Sequence, residues 1–168
     1  MTRLTLVLGG TRSGKSAYAE GLFAGAATPV YLATGSAGDG EMSERIALHR
    51  ARRGAQWRTV EEPLDLAGAL VRESRPGQPI LVDCLTLWLG NLMGHDRDVG
   101  QAFDGLLAAL PGLAGPVVMV SNEVGWGIVP DNALARRFRD HAGELHQRVA
   151  AVAGRVVLVT AGLPLILK

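Results

Sequence analysis

The chain is short of several features that mark out special classes of protein. It has one cysteine, Cys84, so no intrachain disulfide can form and stability must come from a packed core. A lone thiol suits a reducing compartment, and the protein is expected to be cytoplasmic. Long apolar runs are missing: the first, Leu4 to Leu8, passes straight into a glycine loop, too short for a signal-peptide core or a membrane span. Charge excess is missing too. Seventeen basic and 16 acidic residues leave a net charge of +1, which predicts neither a nucleic-acid partner nor a membrane surface. Aromatic residues make up only 5% of the chain.

Glycine, by contrast, is plentiful, with 22 residues. The glycines lie between strong apolar runs, so they predict tight turns and close backbone approaches, not disorder. At 168 residues the chain suits a single domain covering residues 1–168. Apolar, β-rich runs at Leu4–Leu8, Pro29–Ala33, Ile80–Val82, Val117–Val120 and Val156–Thr160 read as strands buried on both faces, as in a mostly parallel sheet. Trp57–Val60 is a weaker candidate. Leu163–Leu167, beside Gly162 and Pro164, reads as a terminal edge strand entered by a turn. Between them, helical patterns cover Ser16–Phe23, Glu41–Arg53, Leu64–Val71, Ala102–Leu110 and Asn132–Val152, the last with Leu134, Phe138, His141, Leu145 and Val149 at helical spacing. The alternation predicts a three-layer α/β fold of about seven strands with helices on both faces.

Gly9-Gly10-Thr11-Arg12-Ser13-Gly14-Lys15-Ser16 matches G-x-x-x-x-G-K-[ST], after a strand and opening a helix. In such a loop the glycines let the backbone curl so that several N–H groups point at phosphate oxygens, and the helix start adds its positive dipole end. Lys15 supplies a charge for the β- and γ-phosphates, and the Ser16 hydroxyl can reach Mg²⁺. The motif also wants an acid at the end of a neighbouring strand. Asp83, closing Ile80–Val82, supplies one; the alternative is that it caps the helix beginning near Leu85. Asn122 and Glu123, after the Val117 strand, stand at the same sheet edge as ligand groups or as turn residues.

The motif places the chain among phosphoryl-transfer proteins with ATP or GTP as substrates. The guanine-reading N-K-x-D of switch GTPases is absent, and Asp65-Leu66-Ala67-Gly68 lies in a helical pattern, not after a strand. One more constellation separates the remaining classes. On Glu41–Arg53, Ile46, His49, Arg50 and Arg53 share one helical face. Guanidinium groups around His49 attract phosphate and disfavour imidazole protonation, and a neutral imidazole is a competent nucleophile toward a nucleotide α-phosphorus. A solvated basic face is the alternative. His95, His141 and His146 read as loop, packing or surface groups. Cys84 reads as a small buried residue, and the histidines lack zinc-ligand spacing with it. Trp126, between Gly125 and Gly127, either meets a ligand or neighbouring subunit or packs in the core.

The same residues carry a resemblance. Gly9 to Ser16, YLATG at Tyr31–Gly35, the segment Glu41–Pro63, LVDCLTLWLGNLM at Leu81–Met93, Val120–Ala150 with its SNEVGWGIVP stretch, and the ending VVLVTAGLPLILK together resemble the bifunctional adenosylcobinamide kinase / adenosylcobinamide-phosphate guanylyltransferase family of cobalamin synthesis. The resemblance spans nearly the whole chain. It implies a RecA-like P-loop fold, a homotrimer, and two reactions. In the first, a nucleoside triphosphate phosphorylates adenosylcobinamide. In the second, a histidine takes GMP from GTP, releasing pyrophosphate, and passes it to adenosylcobinamide phosphate. By position His49 matches the guanylylated histidine. Ala33, Thr34, Gly35, Arg50, Ala51, Arg52, Arg53, Glu61 and Asp83 match positions lining the nucleotide site. The family often has Glu where this chain has Asp83, so the carboxylate here reaches one methylene less far.

Overall fold

The computed structural model describes residues 3–26, 28–35 and 56–168. The first strand, β1 (Leu4–Gly9), is buried along its whole length and runs into the phosphate loop, which opens helix α1 (Lys15–Gly21). Strands β2 (Val30–Ala33) and β3 (Arg58–Glu61) follow. Helix α2 (Leu66–Glu73) is capped by Asp65, whose side chain accepts from the Gly68 amide; the Asp-x-x-Gly letters here are a helix N-terminus. Next come β4 (Ile80–Asp83), α3 (Leu85–Gly94) and α4 (Val99–Ala109), which Asp98 caps through the Gln101 amide. Then β5 (Val117–Asn122) leads to the long helix α5 (Ala133–Val152), capped by Asn132, and the chain ends in β6 (Arg155–Thr160) and β7 (Leu163–Ile166).

The seven strands form one sheet in the order β3-β2-β4-β5-β1-β6-β7. Every pairing is parallel except the last, where β7 returns antiparallel on β6 through Val159↔Pro164 and Thr160↔Leu163. Ala161 and Gly162, both with positive φ, make the reversal that Gly162 and Pro164 suggest in the sequence.

Side-chain alternation along the strands divides the core in two. Leu6 and Leu8 of β1, Val30 and Leu32 of β2, Ile80 and Val82 of β4, and Val117 and Met119 of β5 face one layer, where α2 to α5 pack through Leu66, Leu70, Trp88, Phe103, Leu106 and Leu145. Val7, Tyr31, Leu81, Val118, Val120 and Val157 face the other, against Ala19 and Phe23 of the first helical segment. Trp57 closes that side, edge-on to Phe23 and Tyr31 with centroids 5.2 and 6.2 Å away. Parallel strands covered on both faces explain the unbroken apolar runs in the sequence.

Two expectations need correcting. Leu134 stands on the predicted apolar stripe of the long helix but is 59% exposed, because the helix meets the core only further on, through Ala142, Leu145, His146 and Val149. Trp126 is 74% exposed beside fully exposed Ile128, which rules out the core alternative.

Candidate nucleotide site

Parallel pairing gathers the carboxyl ends of six adjacent strands along one edge, with the phosphate loop at the end of β1, between β5 and β6. The loop is shaped by close approaches. A Cβ on Gly9 would lie 2.5 Å from both the Ser13 Oγ and the Val159 carbonyl oxygen, so the first motif glycine is required for space. Gly14 has φ 95 and passes 3.0 Å from Gly162 Cα, counting from an added Cβ, so it is required for conformation as well. The Gly162 amide donates to the Ser13 carbonyl at 2.8 Å, which pins the loop to the β6–β7 turn.

Within this cradle Lys15 is buried, and its Nζ donates to the Gly10 carbonyl at 3.0 Å. Burial pushes its pKa down, against the opposing pull of Cys84 and Asp83. The Ser13 Oγ is buried without a hydrogen-bond partner among the described residues, a hydroxyl inside the loop that a phosphate oxygen would satisfy. Thr11 and Arg12 lie exposed at the loop's tip, Arg12 with φ 55, and Ser16 sits half-buried in the first turn of α1.

The acid side follows from register. Ala33 pairs with Glu61 on one side and Asp83 on the other, so the three form one row across β3, β2 and β4, on the face that carries Tyr31 and α1. The Asp83 Oδ2 accepts from the Tyr31 hydroxyl at 2.7 Å. Helix α3 is instead preceded by Cys84, whose side chain makes no capping bond, so the cap alternative for Asp83 is excluded. Ser16, next to Lys15 in the chain, and Asp83, whose charge acts on Lys15, are hard oxygen donors, a set that fits a hydrated Mg²⁺ carried by a nucleotide. Among the described residues no three His, Cys, Asp or Glu side chains converge as a metal-holding group.

Thr34 is fully buried. Its Oγ1 donates to the Cys84 carbonyl at 2.7 Å and accepts from the Cys84 amide at 2.9 Å, while its own carbonyl accepts from Asn91 Nδ2 at 2.7 Å. Its hydroxyl therefore ties the end of β2 to the chain after Asp83. Gly35 follows, where a Cβ would press on Leu87 at 3.2 Å, and Glu61 is exposed at the sheet edge. Cys84 is buried and its thiol is pushed up to about 11, chiefly by burial and then by Asp83, so it stays protonated. His49, Arg50, Ala51, Arg52 and Arg53 lie outside the described residues, as does the helix expected over Glu41–Arg53.

A group that sequence reasoning underrated lies after β5. Asn122 Nδ2 donates to Thr86 Oγ1 at 3.0 Å, and the Glu123 amide donates to the Gly9 carbonyl at 3.0 Å. His146 sits buried between Ser121 and Glu123. The available signal was positional: on the long helix His146 falls one turn from Ala142 and Val149, so a polar ring points into the core and needs partners.

A strand, a phosphate loop with a buried lysine, and a carboxylate one strand removed define a P-loop nucleotide-binding protein of the three-layer α/β class. An ATPase of a bacterial type III secretion system shares this fold, with a TM-score of 0.55 at 13% identity over 94% of this chain and 51% of that one. Residues 5–167 match the family described as cobinamide kinase / cobinamide phosphate guanyltransferase, and the chain belongs to that family. It is 54% identical to the bifunctional adenosylcobalamin biosynthesis protein CobP of Pseudomonas aeruginosa, over 97% of this chain and 96% of that relative. It is also 38% identical to the corresponding protein CobU of Escherichia coli, over 98% and 99%.

Proposed function

We propose that the chain carries out both reactions of its family as one domain over residues 1–168. A triphosphate held by Gly9, Gly10, Thr11, Arg12, Ser13, Gly14, Lys15 and Ser16 phosphorylates adenosylcobinamide. His49 then attacks the α-phosphorus of GTP, expels pyrophosphate and carries GMP to adenosylcobinamide phosphate, giving adenosylcobinamide-GDP. Ala33, Thr34, Gly35, Glu61 and Asp83 border the nucleotide, with Arg50, Ala51, Arg52 and Arg53 beside the histidine. The observation that carries this reading is the near full-length match to bifunctional relatives, joined to a formed phosphate cradle with a hydroxyl inside it that no described residue satisfies.

Ser16 and Asp83 would hold Mg²⁺, which neutralises charge on the β- and γ-oxygens when bound. The protein is read as a cytoplasmic homotrimer with no nucleic-acid partner. No described helix is long and apolar enough to cross a membrane. The exposed apolar residues Leu163, Leu165 and Ile166 of β7, with Trp126 and Ile128, support burial against further copies.

GTP labelled at the α-phosphate tests the reading. Label that is acid-labile and base-stable on the protein, and lost in His49→Ala, is expected. Absence of label with ATP-dependent phosphorylation of cobinamide would leave a kinase alone; nucleotide binding with neither reaction would leave a sensor.

A further inference from the structure

Strand β2 holds Asp83 at several points. Tyr31 pairs with Leu81 and Ala33 with Asp83, so Tyr31 and Asp83 are diagonal neighbours on one face of the sheet, the face that carries α1. A diagonal neighbour lies within reach of an aromatic side chain. The Tyr31 hydroxyl uses that reach to donate to Asp83 Oδ2 at 2.7 Å. The Thr34 amide donates to the Asp83 carbonyl at 3.1 Å, and the Thr34 hydroxyl bridges the amide and the carbonyl of Cys84. Asn91 in turn donates to the Thr34 carbonyl. The backbone from Asp83 to Cys84 is thus tied down, and what remains to the acid is rotation about its two side-chain bonds. The Tyr31 hydroxyl restrains that rotation.

Packing alone does not call for a phenol here. The same layer is filled by the purely apolar side chains of Val7, Leu81, Val118 and Val120. Tyr31 is 5% exposed, and a buried hydroxyl needs an acceptor. The one it takes belongs to a half-buried acid at the carboxyl edge of the sheet. That bond uses one carboxylate oxygen and leaves the other: among the described residues Asp83 Oδ1 accepts no hydrogen bond. The same acid is near enough to the phosphate loop for its charge to act on Lys15. A carboxylate locked through one oxygen, with its second oxygen open, is pre-organised to accept from the water shell of a metal ion.

We propose that Tyr31 is a positioning residue for the nucleotide's Mg²⁺: its hydroxyl orients Asp83 so that the second carboxylate oxygen stays available to the hydrated ion. This rests on the reading of Asp83 as the metal-side carboxylate. Tyr31 acts only through Asp83, so its contribution appears when the metal is present and vanishes when it is not.

The test is binding of a non-hydrolysable ATP analogue to the full chain, measured by calorimetry with Mg²⁺ in excess and again with EDTA. The ratio of the two affinities isolates the metal's contribution. Tyr31→Phe keeps the ring and removes the donor. It is expected to weaken binding about three- to tenfold with Mg²⁺, the scale of one hydrogen bond, and to stay within about twofold of wild type in EDTA. Half-maximal phosphorylation of cobinamide should then require more Mg²⁺, with kcat recovering as Mg²⁺ is raised. Asp83→Ala is expected to lose most of the gain from Mg²⁺, and adding Tyr31→Phe to it should lower the ratio no further, because no carboxylate is left to orient. If thermal unfolding shows that Tyr31→Phe does not fold, Tyr31→Met, an adaptable apolar filler, takes its place with the same expectation. A Tyr31→Phe chain whose affinity changes equally with and without Mg²⁺, or not at all, overturns the proposal and leaves a merely structural phenol. An Asp83→Ala chain that keeps the wild-type ratio instead overturns the reading of Asp83 on which the proposal rests.

Discussion

The phosphate loop holds adjacent glycines that the structure separates by cost. A Cβ added at Gly9 meets the Val159 carbonyl oxygen and the Ser13 Oγ, each at 2.5 Å, whereas one added at Gly10 meets nothing within 4 Å. The serine hydroxyl can rotate away, but the Val159 carbonyl cannot. Its strand is held between β1, through Val7↔Val157 and Leu8↔Leu158, and β7, through Val159↔Pro164. Relief of Gly9→Ala therefore requires β1 and β6 to part locally, an overpacking cost of about 1–3 kcal/mol. For a chain of this size that corresponds to a loss of roughly 2–12 °C in Tm. Gly10 has no positive φ, so Gly10→Ala loses nothing in the fold and restricts the unfolded chain, an expected gain of about 0.4–1 kcal/mol. The assay is thermal unfolding by circular dichroism on the two variants and wild type, with ATP affinity measured in parallel. Gly9→Ala should melt lower and bind ATP more weakly; Gly10→Ala should melt at or above wild type. A Gly9→Ala melting within about 1 °C of wild type, or below which Gly10→Ala falls, refutes the steric reasoning.

Thr34→Val keeps the shape of a buried residue but strips both bonds to Cys84, leaving its buried amide unpaired while its carbonyl keeps the Trp88 amide; a loss of about 1–3 kcal/mol in chemical denaturation is expected. Cys84, with its thiol pushed up to about 11, should resist iodoacetamide at pH 8 in the folded protein and react readily once unfolded, as followed by intact mass. Stability should also depend on pH through His146. Burial holds its folded pKa below the ordinary 6.5, with Glu123 pulling the other way, so the unfolded chain takes the proton first. The contribution is fully present above pH 6.5 and is lost as pH falls from there toward the folded value, with a slope of at most about 1.4 kcal/mol per pH unit for one proton. Denaturant midpoints across this range should fall more steeply for wild type than for His146→Gln; parallel curves would remove His146 as the cause.

Much of this molecule was legible along the chain. The phosphate loop is a local device: its glycines, lysine and serine are contiguous, so sequence alone carries the motif, its strand before and its helix after. The continuous apolar runs identified the buried parallel strands, and Asn132 marked the start of the long helix, because strand period and helix caps are written within a few residues. Asp83 was legible as a strand-ending acid, but its partner was not, since Tyr31 lies on a strand brought alongside by the sheet.

What tertiary structure alone decided are relations between distant segments. That β5 inserts between β1 and β4 is a matter of long-range pairing, which no window of sequence specifies. That insertion puts Glu123 beside Gly9 and brings the long helix across so that His146 meets Ser121 and Glu123. Likewise Thr34 turns its hydroxyl onto the backbone of Cys84 only because β2 and β4 are neighbours. Local conformational preference fixes which elements form. Which polar groups must satisfy one another is fixed only when burial removes water from between segments far apart in the chain.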